Sequence, residues 1–349
     1  MSERVKVLVS GGTGFVGSHS VKALRDAGHR VRLLVRDPAR IERALAPLGV
    51  AAPEHVVGDV TDPESVRRAL DGCDAVLHAA SVYSLDPRRG RTLRRDNARG
   101  NELVLGTAQE LGLDPIVHVS SYVAMLPAHE TLNPDAPVGA PRGAYARSKA
   151  ETERLARELQ REGAPVVITQ PGMVWGPHDP HMGESATLAR AIVRGQMPLV
   201  PRGSAPVTDV RDVAAVHAAV MRPGRGPRRY LAAGPSVPFS DIVAAVRAAT
   251  GRRLPAVAVR APLLLGMLWP VEMAQRALPF RVPVGTQGPW IAWRGVPVEA
   301  SATERDLGVR FRPAAEAVGD TVRWLLERAP GRAEAPAAVA AIQEPSARP

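Results

Sequence analysis

The sequence predicts an α/β protein built on a doubly wound parallel sheet, with a smaller mixed α/β part towards its C-terminus. Short runs of aliphatic and β-branched residues alternate with segments of helical periodicity through the first 175 residues. Such alternation is typical of strand–helix–strand units whose helices cover both faces of a parallel sheet. After about residue 175 the alternation gives way to a loop and to shorter strands and helices.

The predicted elements follow from these runs in order. Strands are predicted at residues 5–10, 30–35, 54–59, 74–80, 115–121 and 164–172. Helices are predicted between them, at residues 14–28, 62–72, 96–112 and 144–159. Gly28 is predicted to end the first of these helices, and Asp62 and Asp96 to cap the next two. Further on we predict helices over 186–196 and 239–251, a strand and helix over 205–223, and a strand over 228–235.

The charge of the chain is strongly positive but is not arranged for nucleic acid. The 349 residues carry a net charge of +10. Nearly all the cations are arginines, which are mixed with acidic residues; the lysines are Lys6, Lys22 and Lys149. Basic patches with interleaved aromatic residues, which nucleic-acid sites favour, are missing from the sequence. We therefore expect a small-molecule substrate and no nucleic acid as partner.

The cysteine and hydropathy patterns indicate the cellular compartment and the absence of membrane contact that we expect for this protein. Cys73 is the only cysteine, which excludes an intrachain disulfide, and the apolar run after it predicts a buried thiol. The N-terminus has no signal-peptide pattern. Residues 261–280 are apolar but interrupted by prolines, Glu272 and Arg276, which favours a core or pocket-lining helix over a helix on a membrane surface. We expect a cytoplasmic protein without membrane contact.

The stretch SGGTGFVG, residues 10–17, follows the first predicted strand and opens the first predicted helix. Its evenly spaced glycines permit a tight turn and a close approach of the backbone to a pyrophosphate. The first helical N–H groups and the positive end of the helix dipole then face the phosphates. The turn therefore predicts a dinucleotide site, with contacts from Gly11, Gly14, Phe15, Val16 and Gly17.

With Ser10 in front, the turn resembles the (Ser/Thr)-Gly-x-x-Gly-x-x-Gly form of extended short-chain dehydrogenases/reductases, which implies a Rossmann-type fold. An acidic residue at the end of the second strand would bind the ribose 2′-hydroxyl of NAD. Arg36 stands there, nineteen residues after Gly17, and its planar guanidinium suits a 2′-phosphate. Arg40 is a second candidate. We predict NADP, with NAD as the other cofactor of the family, and with a plain surface arginine as the alternative interpretation of Arg36.

The stretch GAYARSKAETERLARE, residues 143–158, places Tyr145 and Lys149 one turn apart on a predicted helix. A free tyrosine has a pKa of about 10, and a nearby ammonium lowers this pKa by favouring the phenolate. Ser121 ends a predicted strand 24 residues before Tyr145; Ser120 is the weaker candidate because adjacent strand residues face opposite sides. The alternative interpretation is a capping serine and an incidental helix pair.

This order resembles the family's Ser…Tyr-x-x-x-Lys pattern. The resemblance implies that Ser121 holds the reacting oxygen and that Tyr145 transfers the proton. It also implies that Lys149 binds the nicotinamide ribose and lowers the pKa of the tyrosine.

Further segments resemble the family over most of residues 4–328. VVGDVTD resembles the third-strand motif whose aspartate contacts adenine, LHAAS the segment beside the adenine ribose, and QPGMVWGP the strand exit beside the nicotinamide. DNARGNELVL resembles the family's asparagine helix, which makes Asn97 a structural or cofactor-side residue. The further cofactor contacts that the resemblance implies are Asp59, Val60, Ala79, Ala80, Lys149, Pro171 and Met173.

The C-terminal stretches resemble those of dihydroflavonol reductase and 3β-hydroxysteroid dehydrogenase relatives. This resemblance implies reduction of a ketone or aldehyde, or oxidation of the alcohol, of an apolar sterol-, flavonoid- or polyketide-like molecule. The pocket candidates, each with core packing as the alternative, are Tyr83, Met125, Met173, Trp175, Met267, Trp269 and Trp290. An NAD-dependent nucleotide-sugar epimerase or dehydratase and a non-catalytic NADP-binding sensor remain open as alternatives.

The resemblance also implies a division of the chain. An NAD(P)-binding domain is expected over residues 1–175, with further segments from about 205–232, and a mainly substrate-binding part over 176–328. Residues 329–349 are rich in Ala and Pro, which predicts a disordered tail. Many relatives pair through two long helices, so a homodimer is expected.

Several histidines are given no catalytic role. The loop HDPHMGE, residues 178–184, has no partner Cys/His pair and the family chemistry needs no metal, so no metal site is expected. His78 and His118 lie in apolar strands and are expected to be core residues with satisfied hydrogen bonds.

Overall fold

The computed structural model describes residues 4–82, 90–277, 286–295 and 297–328. The strands in these ranges are β1 Lys6–Ser10, β2 Arg30–Val35, β3 Glu54–Val57, β4 Ala75–His78, β5 Ile116–Val119, β6 Val166–Thr169, β7 Met173–Trp175, β8 Leu199–Arg202, β9 Ser204–Asp209, β10 Arg228–Tyr230, β11 Ser236–Pro238 and β12 Val257–Arg260. The helices are α1 Phe15–Asp26, α2 Ala39–Leu45, α3 Pro63–Leu70, α4 Gly90–Glu110, α5 Ala144–Arg161, α6 Glu184–Val193, α7 Val210–Ala219, α8 Phe239–Thr250, α9 Ala261–Ala277, α10 Gln287–Arg294, α11 Ser301–Leu307 and α12 Ala314–Glu327.

Seven parallel strands form the central sheet, in the order β10-β6-β5-β4-β1-β2-β3. The chain runs outward from β1 through β2 and β3, and then returns to the other side of β1 with β4. This reversal leaves a crevice beyond the carboxyl ends of β1 and β4, which is where open parallel sheets bind ligands. The predicted α/β class with a doubly wound parallel sheet is confirmed.

Strand β1 shows how the sequence covers both faces of the sheet. Val7 and Val9 enter a core cluster that includes residues of α1 and α7. Leu8 enters the opposite cluster, with residues of α3, α4 and α5. All three side chains are fully buried, and burying each contributes about 2 kcal/mol. A strand with helices on both faces requires such an unbroken aliphatic run.

The second half of the chain contributes to the sheet and also builds its own core. Strand β10 lies at one edge of the sheet, and α7 packs against α1. Strands β7, β9 and β11 form a small sheet, and β8 pairs with β12. Trp175 is fully buried in a third cluster with side chains of α6, α8 and α12. From this arrangement we propose the domain division given above, with residues 205–232 shared between the two parts.

Of the two aspartates predicted as helix caps, one is confirmed and one is wrong. Asp62 caps α3, accepting a hydrogen bond from the Ser65 amide at 3.1 Å. Asp96 caps nothing, because α4 already includes Gly90 and Asp96 lies within it. The arginines before Asp96 are good helix formers, and the buried Leu93 extends the apolar face of α4 towards its N-terminus. Cys73 is buried as predicted.

Helix α9 is packed on one side only. Leu264 is buried, and Leu265 packs against the cluster that includes Tyr145. Leu263 and Trp269 are 59% and 62% exposed. The prediction of a core or pocket-lining helix is therefore right for one face of α9 and wrong for the other, because apolar residues surround this helix. None of the described helices is long and apolar enough to cross a membrane, and the expected tail lies outside the described residues.

Candidate active site

The glycine-rich turn after β1 lies against the exit of β4. Gly11 has a φ of +76°, and a Cβ added there would come within 2.6 Å of the Ala80 nitrogen and 2.7 Å of the Ala79 carbonyl carbon. A Cβ at Gly17 would overlap the carbonyl group of Gly11. Neither position accepts a side chain, so the turn forms a bare backbone cradle of the kind that a pyrophosphate requires.

Helix α1 presents its N-terminus at this cradle. Gly14 is the N-cap, no described side chain caps the helix, and its first turn holds no acidic residue. The Gly14 amide closes the turn by donating to the Gly11 carbonyl at 2.9 Å. The amides of Phe15, Val16 and Gly17 then open the helix without acceptors inside it. This end of α1 fits the phosphates of a dinucleotide.

Two predicted residues meet at the ends of β2 and β3. The Arg36 Nη1 lies 3.9 Å from the Asp59 Oδ2, and the two side chains are 73% and 38% exposed. Asp59 also accepts hydrogen bonds from the amide and hydroxyl of Thr61, at 2.9 and 2.8 Å. Arg40, the second candidate, is paired with Asp37 at 3.2 Å. The guanidinium of Arg36 is thus the less engaged of the two arginines.

Asn97 fixes the segment that leaves β4. Its Oδ1 accepts from the Val82 amide at 2.7 Å, and its Nδ2 donates to the Ser148 hydroxyl at 2.9 Å. Because Ser148 belongs to α5, these bonds tie the β4 exit to the helix that carries Tyr145 and Lys149. Val60 lies nearby against α4, where a Cβ at Gly100 would be 3.0 Å from its Cγ2.

The two serines after β5 turn in different directions. Ser121 is buried, and its side chain hydrogen-bonds with Tyr145. Its hydroxyl also accepts from the Val123 amide at 3.5 Å, which caps a short 3₁₀ helix, Tyr122–Met125. The Ser120 hydroxyl instead donates to Glu153 at 2.5 Å. The strand alternation predicted this divergence.

Lys149 is buried beside the end of β5. Its Nζ donates to the Val119 carbonyl at 3.0 Å. Burial lowers the pKa of Lys149 to about 8, and the carboxylate of Glu153 opposes that change. The ammonium therefore sits close to its titration point at neutral to mildly alkaline pH.

The pKa of Tyr145 is raised, so the lowering expected from Lys149 does not prevail in this arrangement. Burial is the largest cause, the carboxylate of Glu184 is the second, and the hydrogen bond with Ser121 acts in the opposite sense. The described hydrogen bond of the Lys149 ammonium goes to the Val119 carbonyl. A raised pKa keeps the phenol protonated at neutral pH, as a proton donor needs.

Pro171 and Met173 lie where the segment after β6 crosses this site. The Pro171 carbonyl accepts from the Tyr122 amide at 3.0 Å, one residue beyond Ser121. Met173 begins β7 and is partly buried. A Cβ at Gly172 would come within 2.5 Å of the Pro206 carbonyl oxygen, so the backbone here is tightly enclosed.

The histidines of β4 and β5 correct another expectation. His78 and His118 are buried and stack with ring centroids 6.4 Å apart. His78 Nδ1 lies 2.6 Å from the Ser10 hydroxyl, but neither ring nitrogen of His118 has a partner among the described residues. The expectation of satisfied hydrogen bonds is therefore wrong for His118, and it is met at only one ring nitrogen of His78, whose Nε2 also has no partner among the described residues. Burial lowers both pKa values, so the rings are neutral.

The loop of residues 178–184 is organised by its own aspartate. Asp179 Oδ1 accepts from the His181 amide at 2.9 Å, and Oδ2 accepts from the Gly183 amide at 2.7 Å. Both carboxylate oxygens are thus used to shape the loop that leads into α6.

Three side chains near Tyr145 were not predicted from the sequence. Glu153 continues the four-residue spacing of Tyr145 and Lys149 along α5, a signal that the sequence does contain. Glu184 begins α6 and raises the pKa of Tyr145 from a distant part of the chain. Gln287 reaches the start of α5, where a Cβ at Gly143 would be 2.7 Å from its Oε1. The last two depend on long-range folding and carry no local signal.

Apolar side chains pack with Tyr145. Its cluster draws on the segment after β5, on α9 and on α10, with the side chains of Tyr122, Met125, Leu126, Leu265, Trp290 and Ile291. Met125 and Trp290, two of the predicted pocket candidates, belong to this cluster.

The other pocket candidates lie elsewhere. Trp175 is a core residue of the second half, and Met173 packs at the border of the same cluster. Met267 and Trp269 are 51% and 62% exposed on the outer face of α9. Tyr83 lies outside the described residues.

Comparisons with known proteins agree with this geometry. Residues 7–233 match the model of the NAD dependent epimerase/dehydratase family. A Synechocystis sp. relative whose name relates it to dihydroflavonol 4-reductase is 30% identical over 325 residues, covering 90% of this chain and 93% of its own. Sterol demethylase protein B of Methylococcus capsulatus is 28% identical over 330 residues, covering 92% and 98%.

Solved structures show the same fold. The crystal structure of gox2253 superposes with a TM-score of 0.76 at 26% identity, covering 93% of this chain and 98% of that one. UDP-glucuronic acid 4-epimerase from Bacillus cereus, in complex with UDP-glucuronic acid and NAD, gives a TM-score of 0.73 at 15% identity, covering 92% and 99%. At 15% identity the second likeness concerns the fold alone.

Proposed function

This chain belongs to the NAD dependent epimerase/dehydratase family and is an NAD(P)-dependent oxidoreductase, and we propose that it prefers NADP and acts on the carbonyl or alcohol of an apolar small molecule. The observation that carries the proposal is the Ser121–Tyr145 hydrogen bond beside the buried Lys149. These groups stand at the carboxyl end of β5, and the glycine cradle follows β1, two strands away in the same parallel sheet.

The roles of the chain's own residues follow from this arrangement. The nicotinamide, when bound, exchanges a hydride with the substrate carbon. Ser121 donates a hydrogen bond to the reacting oxygen, and Tyr145 gives that oxygen a proton in reduction or takes one in oxidation. Lys149 supplies a positive charge that offsets the phenolate left on Tyr145. The apolar cluster around Tyr145 excludes water from this exchange.

The surroundings of Tyr145 support an apolar substrate. Its hydrophobic neighbours include Met125, Leu265 and Trp290, and the polar groups that act on it are Ser121 and Glu184. An apolar lining of this extent suits ring systems or chains better than sugar hydroxyls, which need hydrogen-bonding partners. The relatives named above for dihydroflavonol and sterol chemistry support the same substrate class.

Replacing Tyr145 with Phe tests the proposed chemistry. We expect turnover of an apolar ketone with NADPH to fall by at least about 100-fold, since a positioned proton donor contributes roughly 10²–10⁴-fold. Cofactor affinity, measured by calorimetry, should stay within a few-fold of the wild-type value. Tyr230→Phe is the matched control, because that hydroxyl binds Asp306 at the far edge of the sheet.

The results separate the alternatives that the sequence leaves open. Full turnover in Tyr145→Phe would remove Tyr145 as the proton donor. A wild-type protein that binds NADP but turns over no ketone or alcohol would favour the non-catalytic sensor. NAD retained through purification, together with conversion of a nucleotide sugar, would favour the epimerase or dehydratase.

A further inference from the structure

Helix α5 carries four chemically distinct side chains at intervals of four residues. Tyr145, Lys149, Glu153 and Arg157 occupy successive turns, so they form one stripe along the helix. Glu153 is fully buried, with an exposed fraction of 0%. A carboxylate removed from water in this way destabilises the fold unless other groups compensate it.

Hydrogen bonds from three parts of the chain compensate the buried charge of Glu153. Its Oε1 accepts from Arg157, at 3.0 Å from Nε and 2.5 Å from Nη2, and from the Gln170 Nε2 at 2.7 Å. Its Oε2 accepts from the Ser120 hydroxyl at 2.5 Å. Both oxygens are therefore occupied, in a network that links α5 to the residues leaving β5 and β6.

Two of the three partners of Glu153 lie next to a residue of the candidate active site. Ser120 directly precedes Ser121, and Gln170 directly precedes Pro171. Lys149 lies one turn earlier on the same helix, where Glu153 favours its charged form. One buried carboxylate thus contacts both strand exits and acts on the ammonium between them.

We infer that Glu153 is a positioning residue of the reaction: its buried carboxylate, bound to Ser120 and Gln170, fixes the strand exit that carries Ser121 and stabilises the charge of Lys149 one helical turn away. This inference rests on the function proposed above. Glu153 has no contact with substrate or cofactor in this role; it acts through Lys149 and through Ser120.

The charge on Lys149 also depends on Glu153. The titratable groups that face Lys149 from the adjacent strands are His78 and His118, whose rings burial keeps neutral. Tyr145 precedes it on α5 and stays protonated at neutral pH. Glu153 is therefore the one anionic group, among the described residues, that raises the pKa of Lys149.

The inference is tested by titrating Lys149 itself. The chain has only three lysines, Lys6, Lys22 and Lys149, so lysine labelled with ¹³C at Cε gives three NMR signals, and a Lys149→Met variant assigns the third. We expect Glu153→Gln to lower the pKa of Lys149 by about one unit. An unchanged Lys149 pKa in a folded Glu153→Gln protein would overturn the inference, whatever the enzyme's activity.

Glu151→Gln is the matched control. Glu151 lies on the same helix and pairs with an arginine, Arg94 of α4, but its side chain is 34% exposed. The substitution therefore removes a carboxylate and an ion pair from α5 without touching the network of Glu153. We expect the pKa of Lys149 to stay at its wild-type value in this variant.

The pH dependence of turnover supplies the second readout. In the reductive direction, deprotonation of Lys149 should lower kcat/KM at pH values above the pKa of Lys149. Glu153→Gln should therefore shift the alkaline limb of the kcat/KM profile to lower pH, by as much as the Lys149 pKa falls in the NMR titration. A residue with a merely structural role would lower the rate equally at all pH values. If the wild-type protein turns over no ketone or alcohol, the proposed function fails, while the NMR titration still decides the effect of Glu153 on Lys149.

A second variant covers the case in which Glu153→Gln does not fold. The double substitution Glu153→Gln with Arg157→Gln removes both buried charges and leaves groups that can hydrogen-bond each other. The same downward shift of the Lys149 pKa is expected, and its absence in this folded double variant would overturn the inference.

Discussion

Arg36 is the residue on which the proposed preference for NADP rests. Its side chain is largely exposed at the end of β2, and its contact with Asp59 is long, at 3.9 Å. An exposed ion pair of this kind contributes little to stability, so the guanidinium can turn to a 2′-phosphate at small cost. The same exposure would suit a plain surface arginine, and only a comparison of the two cofactors separates these interpretations.

Arg36→Ala should weaken NADPH binding and leave NADH binding unchanged. Hydrogen bonds to a charged group contribute about 1.5–3 kcal/mol, so we expect the dissociation constant of NADPH to rise roughly 10- to 100-fold. Calorimetric titration of both cofactors measures this directly. Arg67→Ala is the control, because Arg67 is equally exposed but pairs with Glu110 on the surface of α4. An equal loss of affinity for both cofactors would show that Arg36 contributes to dinucleotide binding in general or to folding, and not to a preference for NADP.

At the scale of single residues, the sequence predicts a site residue where only one residue type fits the position. Gly11 and Gly17 are predictable because a side chain at either position would overlap the neighbouring backbone. Glu153 and Glu184 are not, because their residue type is common on surfaces and their importance lies in where folding places them. The raised pKa of Tyr145 escapes prediction for the same reason, since burial and Glu184 cause it.

Helix α7 is joined to the sheet and to α1 through one buried histidine. His217 Nδ1 lies 2.7 Å from the Ser20 hydroxyl of α1, and its Nε2 lies 3.1 Å from the Thr169 hydroxyl of β6. Burial lowers its pKa from 6.5 to about 3, so the folded protein keeps the ring neutral. These bonds orient α7, the helix through which the second half of the chain packs on the sheet.

His217→Leu should destabilise the protein and also change its response to acid. Loss of two buried hydrogen bonds is expected to lower the free energy of unfolding by about 2–3 kcal/mol at neutral pH. Below pH 6.5 His217 is protonated in the unfolded chain but stays neutral in the folded chain. Wild-type stability therefore falls as the pH decreases from 6.5 towards 3. The variant should lose stability less steeply over that range, by up to about 1.4 kcal/mol per pH unit.

Urea unfolding at neutral pH and at about pH 5 measures both effects. His55→Leu is the control, because His55 is exposed on β3 and should change neither quantity much. His19 and His78 are also buried with lowered pKa values, so the acid response of His217→Leu should be reduced and not abolished. Equal acid slopes in the wild type and in His217→Leu would contradict this role of His217.

The elements themselves are largely predictable, and the exceptions have physical reasons. The aliphatic runs predict the buried strands, because a strand covered on both faces permits little else. The start of α4 is mispredicted at Asp96, since arginine-rich turns before it contain helix formers but few apolar residues. The exposed face of α9 is also missed, because its apolar residues surround the helix and give no periodic signal.

At the scale of the whole molecule, the candidate site depends on contacts between distant parts of the chain. Leu265 of α9 and Trp290 of α10 pack in the cluster of Tyr145, more than 100 residues away in sequence. Strand β10, from the second half, completes an edge of the sheet. The cofactor side of the site lies in local motifs and is therefore predictable, whereas the substrate side is assembled by long-range packing and is not.

The proposed substrate class depends on how the whole molecule packs around Tyr145. Incubation of the wild-type protein with NADPH and a set of apolar ketones, and separately with NAD and UDP-glucose, tests it most directly. We expect NADPH to be consumed in a one-to-one ratio with the alcohol formed, and no conversion of the nucleotide sugar. Conversion of UDP-glucose by protein that retains NAD, without reduction of any ketone, would contradict the proposed function.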